Sequence, residues 1–322
     1  MTDERHTHHS LRSEGPSVVA IGGGHGLSAT LRALRHYAGD ITAVVSVADD
    51  GGSTGRLRAA MPDLPAPGDV RKCLGALASE DEPFALLLEH RFDNGELAGH
   101  TLGNLLLVAL AGELGSFDGA VAELAQRVGA VGRVLPATEV PVSLEAVTAS
   151  AATPIVGQVA VQNTAGVRQI RLQPPNPPTS AEVVEAILSA DQVVLGPGSL
   201  FTSVLAAAVV PAVRDAMAST QARRIYVANL GPQVPETEGF SFVDELEALR
   251  AHGITVEEVL VDEERSDGGV DQAVSHLDTA VESELGCEIH RAALRVEGGS
   301  VHDPQRLGGA LSVVAHRRVE QL

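Results

Sequence analysis

Apolar residues in this chain fall into short runs that alternate with glycine-rich turns and with stretches of helical spacing. Ser17 to Ile21 (SVVAI) runs straight into GGGHGLS and then into the helical stretch Leu27 to Tyr37. A buried strand, a glycine turn and a helix are the opening of a βαβ unit. Ile41 to Val47 (ITAVVSV) predicts the second strand, and the glycines and small polar residues of Ala48 to Arg56 (ADDGGSTGR) predict a loop after it. Helical spacing recurs at Val70 to Ala78, Phe84 to His90 and Phe117 to Val128. Thr101 to Leu114 (TLGNLLLVALAGEL) is apolar nearly all round and predicts a buried helix.

The texture changes between Val142 and Leu172, where β-branched residues alternate through SLEAVTA, TPIVGQVAVQ and GVRQIRL. This predicts a small antiparallel β insert, closed by the turn-rich QPPNPPTS of Gln173 to Ser180. Helix and strand then alternate again. Ala181 to Ser189, Ser203 to Val210, Phe242 to His252 and Asp303 to Val314 read as helices, and Gln192 to Leu195, Arg224 to Asn229 and Thr255 to Val261 as strands. Asp262 to Gly269 reads as an acidic surface loop. The expectation is an α/β fold, a mostly parallel sheet with helices on both faces. Residues 1–16 are expected to form a disordered tail and residues 17–322 one domain with the β-rich insert at about 140–173.

Composition narrows the function classes. The chain has 44% hydrophobic and 20% charged residues, which is globular, and only 2% aromatics, which suits a core of small branched side chains. A net charge of −19 argues against a nucleic-acid partner, whose phosphates are bound through clustered Lys and Arg. Apolar runs too short for a membrane span, an N-terminus without an apolar signal region, and two distant cysteines, Cys73 and Cys287, point to the reduced cytoplasm. His6, His8 and His9 lie in a polar tail with nothing nearby to complete a metal site. A homodimer is the base-rate expectation for such a protein.

The glycine turns carry the candidate chemistry. In Gly22, Gly23, Gly24, His25, Gly26 and Ser28, glycine lets backbone N–H groups approach an oxyanion, and the helix start adds a favourable dipole. The loop matches neither the dinucleotide fingerprint nor the P-loop, so it reads as an anion site or as a tight turn. Asp49 and Asp50, directly after the second strand, could accept from ribose hydroxyls, hold Mg²⁺ or sit in a solvated turn. Gly51, Gly52 and Ser53 extend the anion-friendly backbone, and Arg56 offers a fork to phosphate or carboxylate. Asp69 reads as a helix N-cap and Arg71 as a surface residue. Arg91, His100 and Asn104 make a polar cluster at the mouth of an apolar helix, His100 as a hydrogen-bond donor rather than a metal ligand.

A second strand-to-helix turn, LGPGSLFTS, holds Gly196, Gly198, Ser199 and Thr202, and Asn229 opens a further loop after a strand. Ser199 is not in a G-x-S-x-G elbow, which removes a serine hydrolase of that type. An NAD-dependent oxidoreductase would fit the fold class but lacks the fingerprint.

Seven stretches in order, GGGHGLS, VADDGGSTGRLR, APGDVRKCL, HRF, GHTLGNLLLVAL, GRVLPAT and VLGPGSLFTS, resemble the YvcK/CofD-like family. The resemblance implies a Rossmann-like fold. On the YvcK branch, whose members are labelled gluconeogenesis factors, it implies binding of a nucleotide sugar such as UDP-N-acetylglucosamine, no established enzymatic activity, and a role in cell shape and cell-wall precursor supply. The other branch, 2-phospho-L-lactate transferase, implies Mg²⁺-dependent transfer of a phospholactyl group to a deazaflavin precursor, with Asp49, Asp50 and Arg91 matching its acceptor-binding residues. This sequence departs from the family pattern at His25, Lys72, the GPQVPETEGF loop and Val301.

Overall fold

The computed structural model describes residues 14–79, 82–148, 153–265 and 282–316. The tail with His6, His8 and His9 and residues 266–269 of the acidic loop lie outside them. The chain is already held at Pro16, whose carbonyl accepts from the Gly39 and Asp40 N–H groups.

Seven strands form a parallel sheet: β1 (Ser17–Gly22), β2 (Asp40–Val45), β3 (Arg133–Pro136), β7 (Gln192–Leu195), β8 (Arg223–Val227), β9 (Glu258–Asp262) and β10 (Glu288–Ala292), in the order β10-β9-β8-β7-β1-β2-β3. The chain runs outward from β1 through β2 to β3, then returns to β7 on the other side of β1 and runs outward again. Right-handed crossovers in opposite directions place their helices on opposite faces. So α1 (Gly24–Leu34), with α3 (Pro67–Leu77) and the C-terminal helix Pro304–His316 against it, covers one face, and α10 (Pro211–Ser219), packed on α8 (Ala181–Ser189), covers the other. The α/β, Rossmann-like expectation is met. The reversal between β1 and β7 creates a crevice at their C-terminal ends, where such sheets take ligands.

The β insert is a separate three-stranded antiparallel sheet of β4 (Ser143–Thr148), β5 (Ile155–Val156) and β6 (Val167–Gln173), in the order β5-β4-β6. It packs on a π-helical turn, Leu200–Leu205, and on α11 (Phe242–Ala251). His252, just beyond α11, accepts from the Ile170 N–H at 3.0 Å and so ties the insert to the main layer.

The helical spacing at Phe84 to His90 and at Phe117 to Val128 is realised as α4 (Pro83–Leu88) and α6 (Phe117–Arg127). Several other elements differ from the sequence reading. The ADDGGSTGR stretch is only partly loop, because α2 (Gly52–Ala60) begins inside it. QVAVQ, read as strand, is the short helix α7 (Gln158–Gln162), whose first N–H groups are capped by Asp50. The apolar helix α5 (Leu102–Leu114) is not buried all round: Leu107 is enclosed while Leu114 is 52% exposed. The expected helix from Ser203 is the π turn followed by the single turn α9 (Ala206–Ala208). Asp262, expected on the surface, closes β9 and is fully buried. Strands β3 and β10 and helix α10 were not expected.

Candidate functional site

A cleft of about 430 Å³ lies over the C-terminal ends of β1, β7 and β8. His25, Gly26 and Ala29 of α1 form one side, and Pro197 and Gly198 after β7 form its base. The other side consists of Asn229 to Gln233 after β8, together with Arg295 and Gly299 to His302 after β10. Of the residues anticipated from sequence, His25, Gly26, Gly198 and Asn229 therefore meet here.

Each element has a physical reason for its position. Gly24 takes φ +63°, where a side chain would be strained, and starts α1 without a capping side chain at Gly23. The N–H groups of the first helical turn have no intrahelical carbonyl to bond. His25 and Gly26 of that turn line the cleft, where a helix start favours an anion. The two glycine turns touch through their backbones: a Cβ built on Gly26 would lie 2.1 Å from the Pro197 carbonyl oxygen. Asn229 fixes the second turn, accepting from the Gly198 N–H at 3.0 Å and donating to its carbonyl at 2.9 Å. Thr30 Oγ1 donates to the Gly196 carbonyl at 2.7 Å, so Gly196 is structural. Ser28 bonds back to Gly24 within α1.

Gly23 packs against Asp69, whose carboxylate pairs with Lys72 at 2.9 Å. Burial and the Lys72 charge lower the pKa of His25, against the carboxylates of Asp69 and Glu89. Asp69 is not the helix N-cap, since α3 already starts at Pro67 after Ala66. Arg71 is not on the surface either: it is 4% exposed, ion-paired with Glu89 and bonded to the Leu88 carbonyl.

The remaining candidates do not line the cleft; Ser53, His100 and Asn104 form a second polar group. Ser53, 5% exposed, lies 3.0 Å from His100 Nδ1 and accepts from Asn104 at 3.2 Å. Burial and Arg56 lower the His100 pKa. Arg91 clamps its own loop by donating to the Gly99 carbonyl, and Arg56 reaches that loop from α2 by donating to the Ala98 carbonyl. Gly51 donates to Asp49 at 2.9 Å, and Gly52 takes φ +46° at the start of α2. Burial and the Asp69 charge raise the Asp49 pKa. Asp50 is fully engaged, accepting from the Gln158 and Val159 N–H groups at 3.0 and 2.9 Å. Thr202 is engaged too, bonded to Glu236 through both its N–H and its hydroxyl, while Ser199 precedes the π turn.

Sequence reasoning placed the loop after Asn229 at the crevice without singling out Gln233, and it missed Arg295 and His302. Arg295 and His302 follow β10 at its C-terminal end, and the rule for ligand position in parallel sheets would have found them had β10 been recognised. Three of the four departures from the family pattern, His25, the loop after Asn229 and Val301, converge on this cleft. Arg295 is held by Asp262 at 2.6 Å, and although burial alone would raise it, the Asp262 carboxyl stays below its usual pKa through Arg295 and the Leu294 and Glu264 N–H groups.

Burial lowers His302 to a pKa of about 4, with Arg295 adding to that effect and Asp262 and the Ala228 carbonyl opposing it. A histidine depressed in the folded state contributes stability above its unfolded pKa of about 6.5 and loses it as pH falls toward the folded value. Roughly two and a half pH units at about 1.4 kcal/mol each amount to about 3–4 kcal/mol. Denaturant titrations should show that loss between about pH 6.5 and pH 4, and His302→Gln should lack it.

Among the described residues, Glu258, Glu288 and His290 also cluster at the opposite, N-terminal ends of β9 and β10. Arg223 sits 2.9 Å from Glu258 and balances that group. No single helix among the described residues is long and apolar enough to cross a membrane.

Comparison with known proteins places the site in context. The family described as 2-phospho-L-lactate transferase CofD matches residues 18–296. A protein of Mycobacterium tuberculosis named "putative gluconeogenesis factor" is 44% identical over 316 residues, covering 94% of this chain and 91% of that one. A protein of Halalkalibacterium halodurans named "gluconeogenesis factor" is 40% identical over 256 residues, covering 76% of this chain and 77% of that one. The crystal structure of a upf0052 family member from Bacillus halodurans superposes with a TM-score of 0.84 at 34% identity, over 93% of this chain and 99% of that chain. The resemblance carried by the seven motifs thus holds along nearly the whole chain, which belongs to the CofD family.

Proposed function

We propose that this protein is a cytoplasmic regulatory protein that binds a nucleotide sugar, with UDP-N-acetylglucosamine as the representative ligand, and couples precursor supply to cell-wall synthesis and cell shape during gluconeogenic growth. The observation that carries the binding reading is the cleft at the β1/β7 reversal, where an uncapped helix start with His25 and Gly26 faces Gly198 and Asn229. A helix start favours phosphate, and a mixed polar wall opposite it suits the rest of a nucleotide. The names of the Mycobacterium and Halalkalibacterium relatives support the gluconeogenic setting.

A second reading, transfer of a phospholactyl-type group, is favoured by the family description. In that reaction Mg²⁺ would sit beside the transferring phosphoryl group. The residues of this chain fit that ion poorly: Asp50 commits both carboxylate oxygens to α7, Asp69 is paired with Lys72, and Asp49 already accepts from the Gly51 N–H and the Thr54 hydroxyl. Nucleotide binding without turnover is therefore the better reading.

Calorimetric titration with UDP-N-acetylglucosamine, UDP-glucose, GDP and NAD, each with and without Mg²⁺, tests it. Saturable binding of a UDP-sugar that does not need Mg²⁺ is expected. A Mg²⁺-dependent preference for GDP would move the assignment to the transferase.

A further inference from the structure

The wall of the cleft opposite α1 holds two buried hydrogen-bond acceptors that have no donor, Gln233 Oε1 and His302 Nε2. His302 is neutral at physiological pH, with its pKa at about 4. Its hydrogen bond to the Ala228 carbonyl needs an N–H, and since Nε2 is without a partner, that N–H is on Nδ1. Nε2 therefore presents a lone pair. The wall's cation is not available to offset this, because Arg295 donates to Asp262 at 2.7 Å and pairs with it at 2.6 Å.

Two acceptors beside a neutralised guanidinium disfavour an ionised phosphate, which only accepts. The opposite side, with His25, Gly26 and the uncapped start of α1, favours it. The two sides thus differ in sign, and a ligand that satisfies both must turn phosphate to one side and hydroxyl or N–H donors to the other.

We propose that Gln233 and His302 form an acceptor pair that reads the hydroxyl or N–H donors of the ligand and orients it with its phosphates toward α1. This rests on nucleotide-sugar binding in the cleft and adds to it a direction and a pair of specificity-determining residues.

The backbone that carries both acceptors is held before a ligand arrives. The Gln233 N–H donates to Thr237 Oγ1 at 2.8 Å, and the Gln233 carbonyl accepts from the Thr237 N–H at 2.7 Å. His302 is bridged to Arg295, and the adjoining Asp303 N–H donates to the Leu294 carbonyl at 2.8 Å. Binding therefore has little backbone left to order, and a bound donor left facing an apolar replacement would be unsatisfied.

The test is calorimetric titration of UDP and UDP-N-acetylglucosamine into the parent chain and the Gln233→Leu, His302→Leu and His302→Gln variants, with circular dichroism reporting their folding. Each Leu variant should lose about tenfold or more in affinity, and His302→Gln should recover most of it, because its amide oxygen restores an acceptor. Equal losses for UDP and the UDP-sugar would assign the pair to the nucleoside, and a loss confined to the UDP-sugar would assign it to the sugar; either supports the proposal. Should His302→Leu fail to fold, the Gln233 variant decides alone. Unchanged affinity in the folded Leu variants, or a folded His302→Gln as weak as His302→Leu, overturns the acceptor pair while leaving nucleotide-sugar binding in the cleft intact. No binding to the parent chain would overturn both.

Discussion

Gly26→Ala should destabilise the protein by about 3 kcal/mol, at the upper end of what overpacking costs, and abolish nucleotide-sugar binding. The new Cβ would lie 2.1 Å from the Pro197 carbonyl oxygen, 2.6 Å from its carbon and 2.7 Å from the Gly198 Cα. Every one of those atoms is backbone, so no side chain can swing away and the two turns must separate. Helix propensity pulls in the other direction, since alanine is favoured over glycine inside a helix by about 1 kcal/mol. The clash is the larger effect. Gly112→Ala in α5 isolates the smaller one: nothing lies within 4 Å of its added Cβ, and the variant should gain about 0.5–1 kcal/mol. Thermal or urea unfolding of both variants checks the opposite signs, and titration with UDP-N-acetylglucosamine checks that only Gly26→Ala loses the ligand. A stable, binding-competent Gly26→Ala chain would mean that the two turns do not share a packed contact.

The same contact explains why the first half of the site was legible in the sequence. A strand, a glycine turn and a helix are local events, and GGGHGLS and LGPGSLFTS announce both halves of the crevice without long-range information. The elements that could not be read depend on partners distant in the chain. α2 forms from a glycine- and serine-rich stretch that favours a turn, yet Arg58 crosses to the Asp49 and Val142 carbonyls and holds it in place. QVAVQ is β-branched, but Asp50, more than a hundred residues earlier, caps its N-terminus and makes it helical. Glu236 bonds the Phe201 and Thr202 N–H groups and so supports the π turn. Strand β10, EIHRA, is an edge strand with too few apolar residues to register as one. Missing it hid the far wall of the cleft, because Arg295 and His302 belong to the segment that leaves its C-terminal end.

Arg265→Leu should cost about 3–5 kcal/mol, because it strands a carboxylate in the core. Arg265 and Glu245 have side chains only 1% and 0% exposed, and Arg265 reaches the Glu245 carboxylate at 3.1 Å and the Asn229 carbonyl at 2.7 Å. Burial raises the Glu245 pKa, and Arg265, with Tyr226 donating at 3.0 Å, counters it. Leucine would fill much of the space but leave that carboxylate without its cation. A carboxylate whose folded pKa rises further penalises folding above that pKa and is relieved as pH falls through it, so the variant should regain part of its deficit in acid. The Glu245→Leu and Arg265→Leu double variant should be more stable than Arg265→Leu alone, because an apolar pair leaves no buried charge. The effect reaches the ligand as well. Asn229 holds Gly198 through both its amide bonds, and once its carbonyl loses Arg265 the second turn loosens, which should lower nucleotide-sugar affinity about tenfold. Urea unfolding across pH, with titrations on the same three proteins, separates the two consequences: stability lost without affinity would confine the ion pair to the core, whereas loss of both joins the core to the cleft through Asn229.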